Sequence, residues 1–335
     1  MNHRKFVVAS TVLMLAAAGI VAGLAFYSNF SATASISKLP AAVGYLPRDV
    51  QAVFGMNVQK FVASPVYAQF QKTHGEEIGK NLAEFIAKTG VDPTKDVLYV
   101  VAGGSLGSER KGTGVVIAVA TGRFNKDTIV SFIKSQVVPI PVDYDGATVL
   151  MIPEKNGEKL EKGIAFLSDA EIALGDLDSL KAVLDVRFRR ADNISRNPTL
   201  GPLIDSLNPT EMFWFAGDAA SILSKAPAQT NTPLGGNISA IVNVVGTLNL
   251  DDAVRGKITV TAKDKASAGK LADVARGFIA LGQLATEQDP NLTALLNGVT
   301  IATDAKEETK LHLVVNFPFE LLEKLEHAKP RLKKV

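Results

Sequence analysis

The chain has 335 residues, of which 47% are hydrophobic, enough for two ordinary domains or one large one with a substantial core. It contains no cysteine, which excludes disulfides, zinc–thiolate sites, thiol catalysis and lipidation of an N-terminal cysteine. The formal charge is +2, but six of the 36 Lys and Arg residues lie at the two ends, leaving 30 basic residues against 34 acidic ones between them. The body therefore lacks the positive field typical of nucleic-acid binding, and we expect no nucleic-acid partner.

The N-terminal segment carries the strongest signal in the sequence. Residues 6–27 are apolar and uncharged, and a helix of that length, at ~1.5 Å per residue, crosses roughly 30 Å of hydrocarbon. Two basic residues precede this stretch, so the positive-inside rule predicts that residues 1–5 are cytoplasmic and that the body is periplasmic or otherwise extracytoplasmic. The alternative is a signal peptide cleaved after Ala34. The apolar stretch exceeds the ~7–15 residues usual for a signal peptide, which favours a retained transmembrane helix with the lipid bilayer as its partner.

Two flanking segments read as accessory to the body. Residues 28–44 are mostly small and polar, with one proline, and predict a flexible linker between membrane and body. Residues 329–335 form a basic tail, for which solubilisation is the simpler interpretation. Contact with an anionic membrane surface or binding of an anionic envelope polymer is the alternative.

The body contains a pattern that occurs twice. Residues 46–65 and 208–227 share a turn, a strand, a glycine, a short helix and a proline at a constant offset of 162. Later segments match in the same order with small changes of offset, so we expect a tandem duplication: a first unit over residues 45–205 and a second over residues 206–328.

The pattern within each unit predicts an α+β fold. Each unit reads as a strand, a short helix, a hairpin, a long helix, a hairpin and a final helix, which favours a mainly antiparallel sheet with helices on one face. Residues 75–89 form an amphipathic helix that Gly90 is placed to end. Met212 to Phe215 are apolar on both faces, as in a strand that is covered on both sides or lies at a domain junction.

One catalytic motif needs a test. Gly103-Gly104-Ser105-Leu106-Gly107 fits the G-x-S-x-G nucleophile elbow, which requires a strand before the serine and a helix directly after it. A strand precedes Ser105, but the glycine-containing residues that follow lead into another strand. His312 is expected to point outward from a strand, and His327 lies on a charged helix end, so no triad is evident. The interpretation we favour is a hairpin turn.

Other candidate sites have simpler explanations. The turn after Ser105 lacks the Lys-Ser/Thr and the helix of a P-loop. The acidic pairs 143/145 and 176/178 read as a turn and a helix cap rather than calcium loops, and the four histidines have no metal-site spacing. Residues 187–190, Arg-Phe-Arg-Arg, are the sharpest basic cluster and suit the C-terminus of a helix. We therefore assign no catalytic, cofactor-binding or metal-binding residue and expect no cofactor.

Several motifs carry a family resemblance. These are L-P-x-D before an apolar strand, Phe-Val-Ala-Ser-Pro at 61–65, Thr-Gly-Val-Asp-Pro-Thr-Lys-Asp at 89–96, Gly-Arg-Phe at 122–124 and Tyr-Asp-Gly at 144–146. Over residues 45–205 the chain resembles exported, N-terminally membrane-anchored bacterial proteins grouped as a domain of unknown function. The resemblance implies localisation and architecture, and it provides no catalytic residues.

These observations predict a membrane-tethered cell-envelope protein with a non-enzymatic binding or scaffolding role and a possible envelope protein or apolar ligand as partner. One alternative is a carrier of a lipid or other apolar ligand, suggested by the aromatic run Met212 to Phe215 and the apolar helix faces. A serine hydrolase that uses Ser105 is the other.

Overall fold

The computed structural model describes residues 40–105, 115–153, 160–208, 210–225, 238–285 and 290–321. They form a mixed fold of helices and antiparallel sheet, which confirms the α+β class. Among these described residues, no helix combines the length and the apolar content needed to cross a bilayer. Residues 6–27 lie outside them, so the transmembrane helix stays a prediction.

The described strands join in one sheet of 12, and every ladder in it is antiparallel. The order across the sheet is β11-β12-β10-β9-β8-β1-β2-β3-β7-β6-β5-β4. The strands are β1 (Ala52–Asn57), β2 (Val97–Ser105), β3 (Val115–Gly122), β4 (Ile140–Tyr144), β5 (Ala147–Pro153), β6 (Leu160–Phe166), β7 (Glu171–Gly175), β8 (Phe213–Gly217), β9 (Ile241–Leu250), β10 (Ala253–Ala262), β11 (Val299–Thr303) and β12 (Lys310–Pro318).

The two halves of the sheet meet at the pair β1–β8. These strands run antiparallel with Phe54 opposite Phe215 and Met56 opposite Phe213. On either side of this seam the order is similar: a three-stranded meander, β1-β2-β3 or β8-β9-β10, followed by a returning strand, β7 or β12, that pairs with the third. The expectation of a separate sheet for each unit is therefore wrong, because backbone hydrogen bonds across the seam make one continuous sheet.

Helices lie on both faces of the first half of the sheet, which corrects the prediction of helices on one face only. The helices are α1 (Val58–Val62), α2 (Pro65–Thr89), α3 (Pro93–Asp96), α4 (Lys126–Gln136), α5 (Leu177–Arg187), α6 (Leu200–Asp205), α7 (Ala219–Lys225), α8 (Lys265–Ala285) and α9 (Pro290–Asn297), with 3₁₀ turns at Ala41–Tyr45 and Ile194–Arg196. Neighbouring residues of one strand point to opposite faces. Leu150 of β5 packs with Phe132 of α4, whereas Met151 packs with Leu180 of α5. Both faces of these strands are apolar, and a helix buries each of them.

The aromatic run of β8 fills the core at the seam. Trp214 is fully buried in the cluster that contains α5, and Met212 and Phe213 are buried in the cluster on the opposite face. Ring centroids of Phe213 and Phe61 are 5.7 Å apart. This confirms that the strand is covered on both sides, and it accounts for the aromatic side chains by core packing.

Two local predictions need adjustment and one is confirmed. Within the predicted linker 28–44, the 3₁₀ turn Ala41–Tyr45 packs into the core, with Ala42 fully buried, so the body begins earlier than expected. Helix α2 also begins earlier, at Pro65, because Ser64 caps it and proline suits its first turn. Gly90 ends α2 in the left-handed conformation, with φ 69°, as predicted.

Candidate functional site

The C-terminus of α5 forms one wall of the candidate site. The amide of Arg190 bonds the carbonyl of Asp185 and that of Arg189 bonds Val186, which is the Schellman pattern of a helix end. The residue that follows the cap in this motif is left-handed and usually glycine. Here it is Arg189, with φ 61°, so a large cationic side chain occupies a backbone position that favours glycine.

Arg190 is a structural cation. Its Nε donates to Asp185 Oδ1 at 2.9 Å, and its guanidinium also pairs with Asp145. The same group lies over the rings of Tyr144 and Phe188, at 5.2 and 4.8 Å from their centroids. Two carboxylates and two aromatic faces fix this side chain, so its charge is already matched.

The opposite wall is brought in by a short backbone pairing. Residues 192–194 lie along residues 46–48, with the amide of Ile194 donating to the carbonyl of Leu46 at 2.8 Å. Asn193 caps the 3₁₀ turn Ile194–Arg196 by accepting from the amide of Ser195, and its Nδ2 donates to the carbonyl of Gly44 at 3.2 Å. This pairing places the turn Ala41–Tyr45 and Arg196 beside the end of α5.

These two walls border an open cleft of about 760 Å³, here called the arginine cleft. Its lining includes Tyr45, Arg187, Arg189, Asp192, Asn193 and Arg196. Asp192 pairs with Arg48 at 3.2 Å, so its charge is matched. Among the described residues, Arg187, Arg189 and Arg196 form no ion pair with a carboxylate. The cleft therefore presents three cations that pair directly with no carboxylate of the described residues.

Tyr45 adds a hydroxyl to this wall. Burial and the Glu171 carboxylate raise the pKa of the Tyr45 phenol, and the positive charge of Arg187 partly opposes them. The phenol therefore stays protonated at neutral pH and can donate a hydrogen bond. Guanidinium groups bind carboxylates and phosphates through two parallel N–H···O bonds. The chemistry of the arginine cleft accordingly suits an anion with several oxygen atoms.

Ser105 lies at the end of β2, where it pairs with Val115 of β3, so the prediction of two strands joined by a hairpin is confirmed. Residues 106–114 of the connection lie outside the described residues. The Ser105 hydroxyl donates to the backbone carbonyl of Asp49 at 2.9 Å. This contact fastens β2 to the loop before β1.

His312 lies on β12, as expected, and its side chain contacts two partners that the sequence did not indicate. Its Nε2 lies 2.9 Å from Asp304 Oδ2, and its Nδ1 lies 3.0 Å from Thr259 Oγ1 of β10. Cross-strand register places Thr259 opposite His312, so only knowledge of the pairing could have revealed the contact. The His312 hydrogen bond and the backbone amides of Glu307 and Lys306 hold the pKa of Asp304 well below its usual range. The three groups form a satisfied polar chain across two strands and a turn.

Acidic pairs occupy the predicted structural positions. Asp145, with φ 51°, and Gly146, with φ 81°, form the turn between β4 and β5, and Asp176 caps α5 by accepting from the amide of Ser179. Among the described residues, no group of three His, Cys, Asp or Glu side chains could hold a metal ion. The side chain of His74 and all of His3 and His327 lie outside the described part.

The sequence indicated part of the arginine cleft. Residues 187–190 lie at the C-terminal end of α5, as predicted, but no local sequence pattern indicates Tyr45 or Arg196. They join the cleft only through the pairing of residues 46–48 with 192–194.

No family model and no curated protein matches the chain. Among solved structures, crystal form III of a protein called TP0453 aligns with a TM-score of 0.46 at 9% identity, covering 89% of this chain and 100% of that chain. Crystal form I of TP0453 aligns with a TM-score of 0.44 at 11% identity, covering 87% of this chain and 97% of that chain. These similarities are too distant to carry an argument about function, and the family resemblance over residues 45–205 stays a hypothesis.

Proposed function

We propose that the chain is a membrane-tethered cell-envelope protein with a non-enzymatic binding role, and that the arginine cleft is its recognition surface for an anionic partner. Residues 1–5 are cytoplasmic, residues 6–27 cross the bilayer and the body lies in the extracytoplasmic space. The observation that carries the proposal is the set of three cations, Arg187, Arg189 and Arg196, that have no carboxylate partner among the described residues and face one open cleft.

Backbone geometry supports this role for Arg189. A residue other than glycine in the left-handed region costs of order 1 kcal/mol or more and persists where its surroundings hold it. Glycine at this position would end α5 at lower cost. An arginine side chain at such a position suits a function that needs the charge.

The fold supports a scaffold for this surface. In our proposal residues 45–205 and 206–328 are tandem related units, and the similar strand order on either side of β1–β8 supports that origin. Among the described strands, the first unit carries an additional hairpin, β4–β5, beyond the strands that it shares with the second unit. Superposition of β1, β2, β3 and β7 on β8, β9, β10 and β12 tests the relationship, and strands that fail to overlay would reject it.

Anion recognition can be tested on the full chain in phosphatidylcholine nanodiscs. Inorganic pyrophosphate and citrate serve as probes, with binding followed by calorimetry. Because each guanidinium–anion contact contributes of order 1–3 kcal/mol, replacing Arg187, Arg189 and Arg196 together by Gln should weaken binding at least about tenfold.

A charge-matched control replaces Lys134, Lys263 and Lys270 by Gln. These three lysines are exposed and lie away from the cleft, and the substitution removes the same charge. Equal loss in both variants, or no binding by the parent chain, would reject the arginine cleft as the recognition surface.

Topology can be tested because the chain has no cysteine. Asn2→Cys and Lys134→Cys each introduce a single thiol for a membrane-impermeant maleimide. In intact cells we expect labelling at position 134 only, and labelling at position 2 only after lysis. Labelling of both positions, or of neither, before lysis would contradict the proposed orientation.

A further inference from the structure

The polypeptide enters the body beside the arginine cleft. The described chain begins at Pro40 and passes directly into the 3₁₀ turn Ala41–Tyr45. Gly44 and Tyr45 of this turn line the cleft. The turn is anchored by Ala42 and Val43, which are buried against α5 and the sheet. The same 3₁₀ turn therefore joins the tether to the body and forms part of the cleft wall.

The tether is short. Residues 28–39 separate the proposed membrane helix from Pro40, and twelve residues span at most about 40 Å when fully extended. Because the tether joins the body at the cleft wall, this reach also limits the distance between the cleft and the membrane surface.

The positive charge of the cleft complements the negative charge of lipid phosphate groups at the membrane surface. Arg187, Arg189 and Arg196 have no carboxylate partner among the described residues, whereas Asp192 is paired with Arg48. A lipid phosphate presents oxygen atoms that planar guanidinium groups bind two at a time. A volume of about 760 Å³ accommodates a headgroup, and the cleft is open on one side, so acyl chains can remain in the bilayer.

We infer that the arginine cleft binds the phosphate of an anionic phospholipid headgroup in the same bilayer that holds the N-terminus, so that the body lies against the membrane surface. The inference rests on the proposed function, because it needs both the membrane helix and the anion-binding role of the cleft. A soluble phosphate would use the same guanidinium groups, so the experiment must separate the two sources.

The test is residue-resolved modification of arginine by phenylglyoxal, with peptide mass spectrometry as the readout. The full chain is placed in nanodiscs of phosphatidylcholine alone or of phosphatidylcholine with phosphatidylglycerol. Since each arginine near an anionic surface contributes about fivefold in affinity, modification of Arg187, Arg189 and Arg196 should slow about fivefold or more with phosphatidylglycerol. Arg123 and Arg276, which are exposed elsewhere on the body, provide the internal control and should keep their rates.

A third arm adds inorganic phosphate to the phosphatidylcholine nanodiscs. Protection of the three cleft arginines equal to that by phosphatidylglycerol would overturn the lipid assignment while the proposed function stands. Equal protection of Arg123 and Arg276 would also overturn it, because the effect would then be general surface attraction. Absence of protection by phosphatidylglycerol, with pyrophosphate binding intact, would do the same. Loss of pyrophosphate binding as well would reject the proposed function itself.

A variant tests whether the arginines act together. Arg196→Gln should reduce the lipid-dependent protection of Arg187 and Arg189 about fivefold, because they share one headgroup. Lys263→Gln removes the same charge from another surface and should leave the protection unchanged. Unchanged protection in Arg196→Gln would overturn the shared site.

Discussion

Gly55 of β1 lies directly beneath the indole of Trp214 of β8. A Cβ atom at position 55 would lie 2.1 Å from Trp214 Cε2, much closer than van der Waals contact allows. The indole Nε1 also donates a hydrogen bond to the hydroxyl of Tyr99 on β2, which fixes the ring over the seam. A missing side chain on one strand therefore provides the space for the largest buried side chain on its partner.

This packing predicts that Gly55→Ala destabilises the body by about 1–3 kcal/mol or more, because the indole and both strands must shift. The free energy of unfolding in urea measures the effect. Gly269→Ala is the matched control: a Cβ there meets nothing within 4 Å, and alanine favours the interior of α8 by roughly 0.5–1 kcal/mol. A neutral Gly55→Ala would contradict the close packing at the seam.

Arg189 predicts a conflict between stability and binding. Arg189→Gly relieves the left-handed backbone and should raise the free energy of unfolding by up to about 1 kcal/mol while weakening anion binding. Arg187→Gly also removes a cleft cation but lies in the last turn of α5, where glycine should cost roughly 0.5–1 kcal/mol. Chemical denaturation and calorimetric binding on both variants check this. The same sign of stability change in both would contradict the backbone argument.

Glu211 predicts a pH-dependent loss of stability. This residue is only 3% exposed, and burial raises the pKa of its carboxyl, although a hydrogen bond from Asn249 and the charge of Lys60 oppose the shift. The folded state therefore holds the proton more tightly than the unfolded chain. Its contribution is fully present below about pH 4.5 and is lost as pH rises through the folded-state pKa.

Glu211→Gln should remove this decline, because a glutamine oxygen can still accept the bond from Asn249 Nδ2. The measurement is the free energy of unfolding of both proteins from acidic to neutral pH. The free energy of unfolding of the variant should increase relative to that of the parent as pH rises. Parallel curves would contradict the assignment of the raised pKa to Glu211.

Asp304 predicts the opposite pH dependence. Its pKa is lowered by His312 and by two backbone amides, so its contribution is present above the unfolded pKa and is lost as pH falls below about 4. Asp304→Asn should lower Tm at neutral pH and flatten the acid limb of the stability curve. Asp273→Asn removes an exposed carboxylate whose ion pair within the described part of the chain is with its helical neighbour Arg276, and it should change Tm little. Equal changes of Tm in the two variants would contradict a stabilising role for the contact between Asp304 and His312.

Ser105 provides a test of the hydrolase alternative. Because its hydroxyl already donates to the carbonyl of Asp49, we expect no Ser105-dependent labelling by a fluorophosphonate probe. The full chain and Ser105→Ala should give the same signal. Labelling that disappears in Ser105→Ala would revive the nucleophile interpretation.

Local sequence patterns predicted turns, helix caps and helix ends. The pairing of distant strands determines the rest of the fold. The left-handed Gly90, the turn at Asp145 and the cap at Asp176 each follow from two or three neighbouring residues. The seam does not, because β1 and β8 lie far apart in sequence and nothing within either strand specifies its partner. In the sequence, the apolar run Met212 to Phe215 was the sign that this strand is covered on both sides.

The same distinction separates the two parts of the arginine cleft. Arg187 and Arg189 were visible as a basic run at a helix end, where a local electrostatic explanation sufficed. Tyr45 and Arg196 became part of the cleft through backbone pairing between residues 46–48 and 192–194. A sequence pattern shows the charges, but only the fold shows that they face one cavity.

The seam between β1 and β8 also has a mechanical consequence. The strands exchange backbone hydrogen bonds along the length of β8, and rings from both halves, such as Phe54 and Phe213 at 6.0 Å, interlock beside them. Bending at this line would break the ladder and separate the aromatic rings. We therefore expect the two halves to move as one rigid body, so that a contact made at one end reorients the whole body rather than opening a hinge.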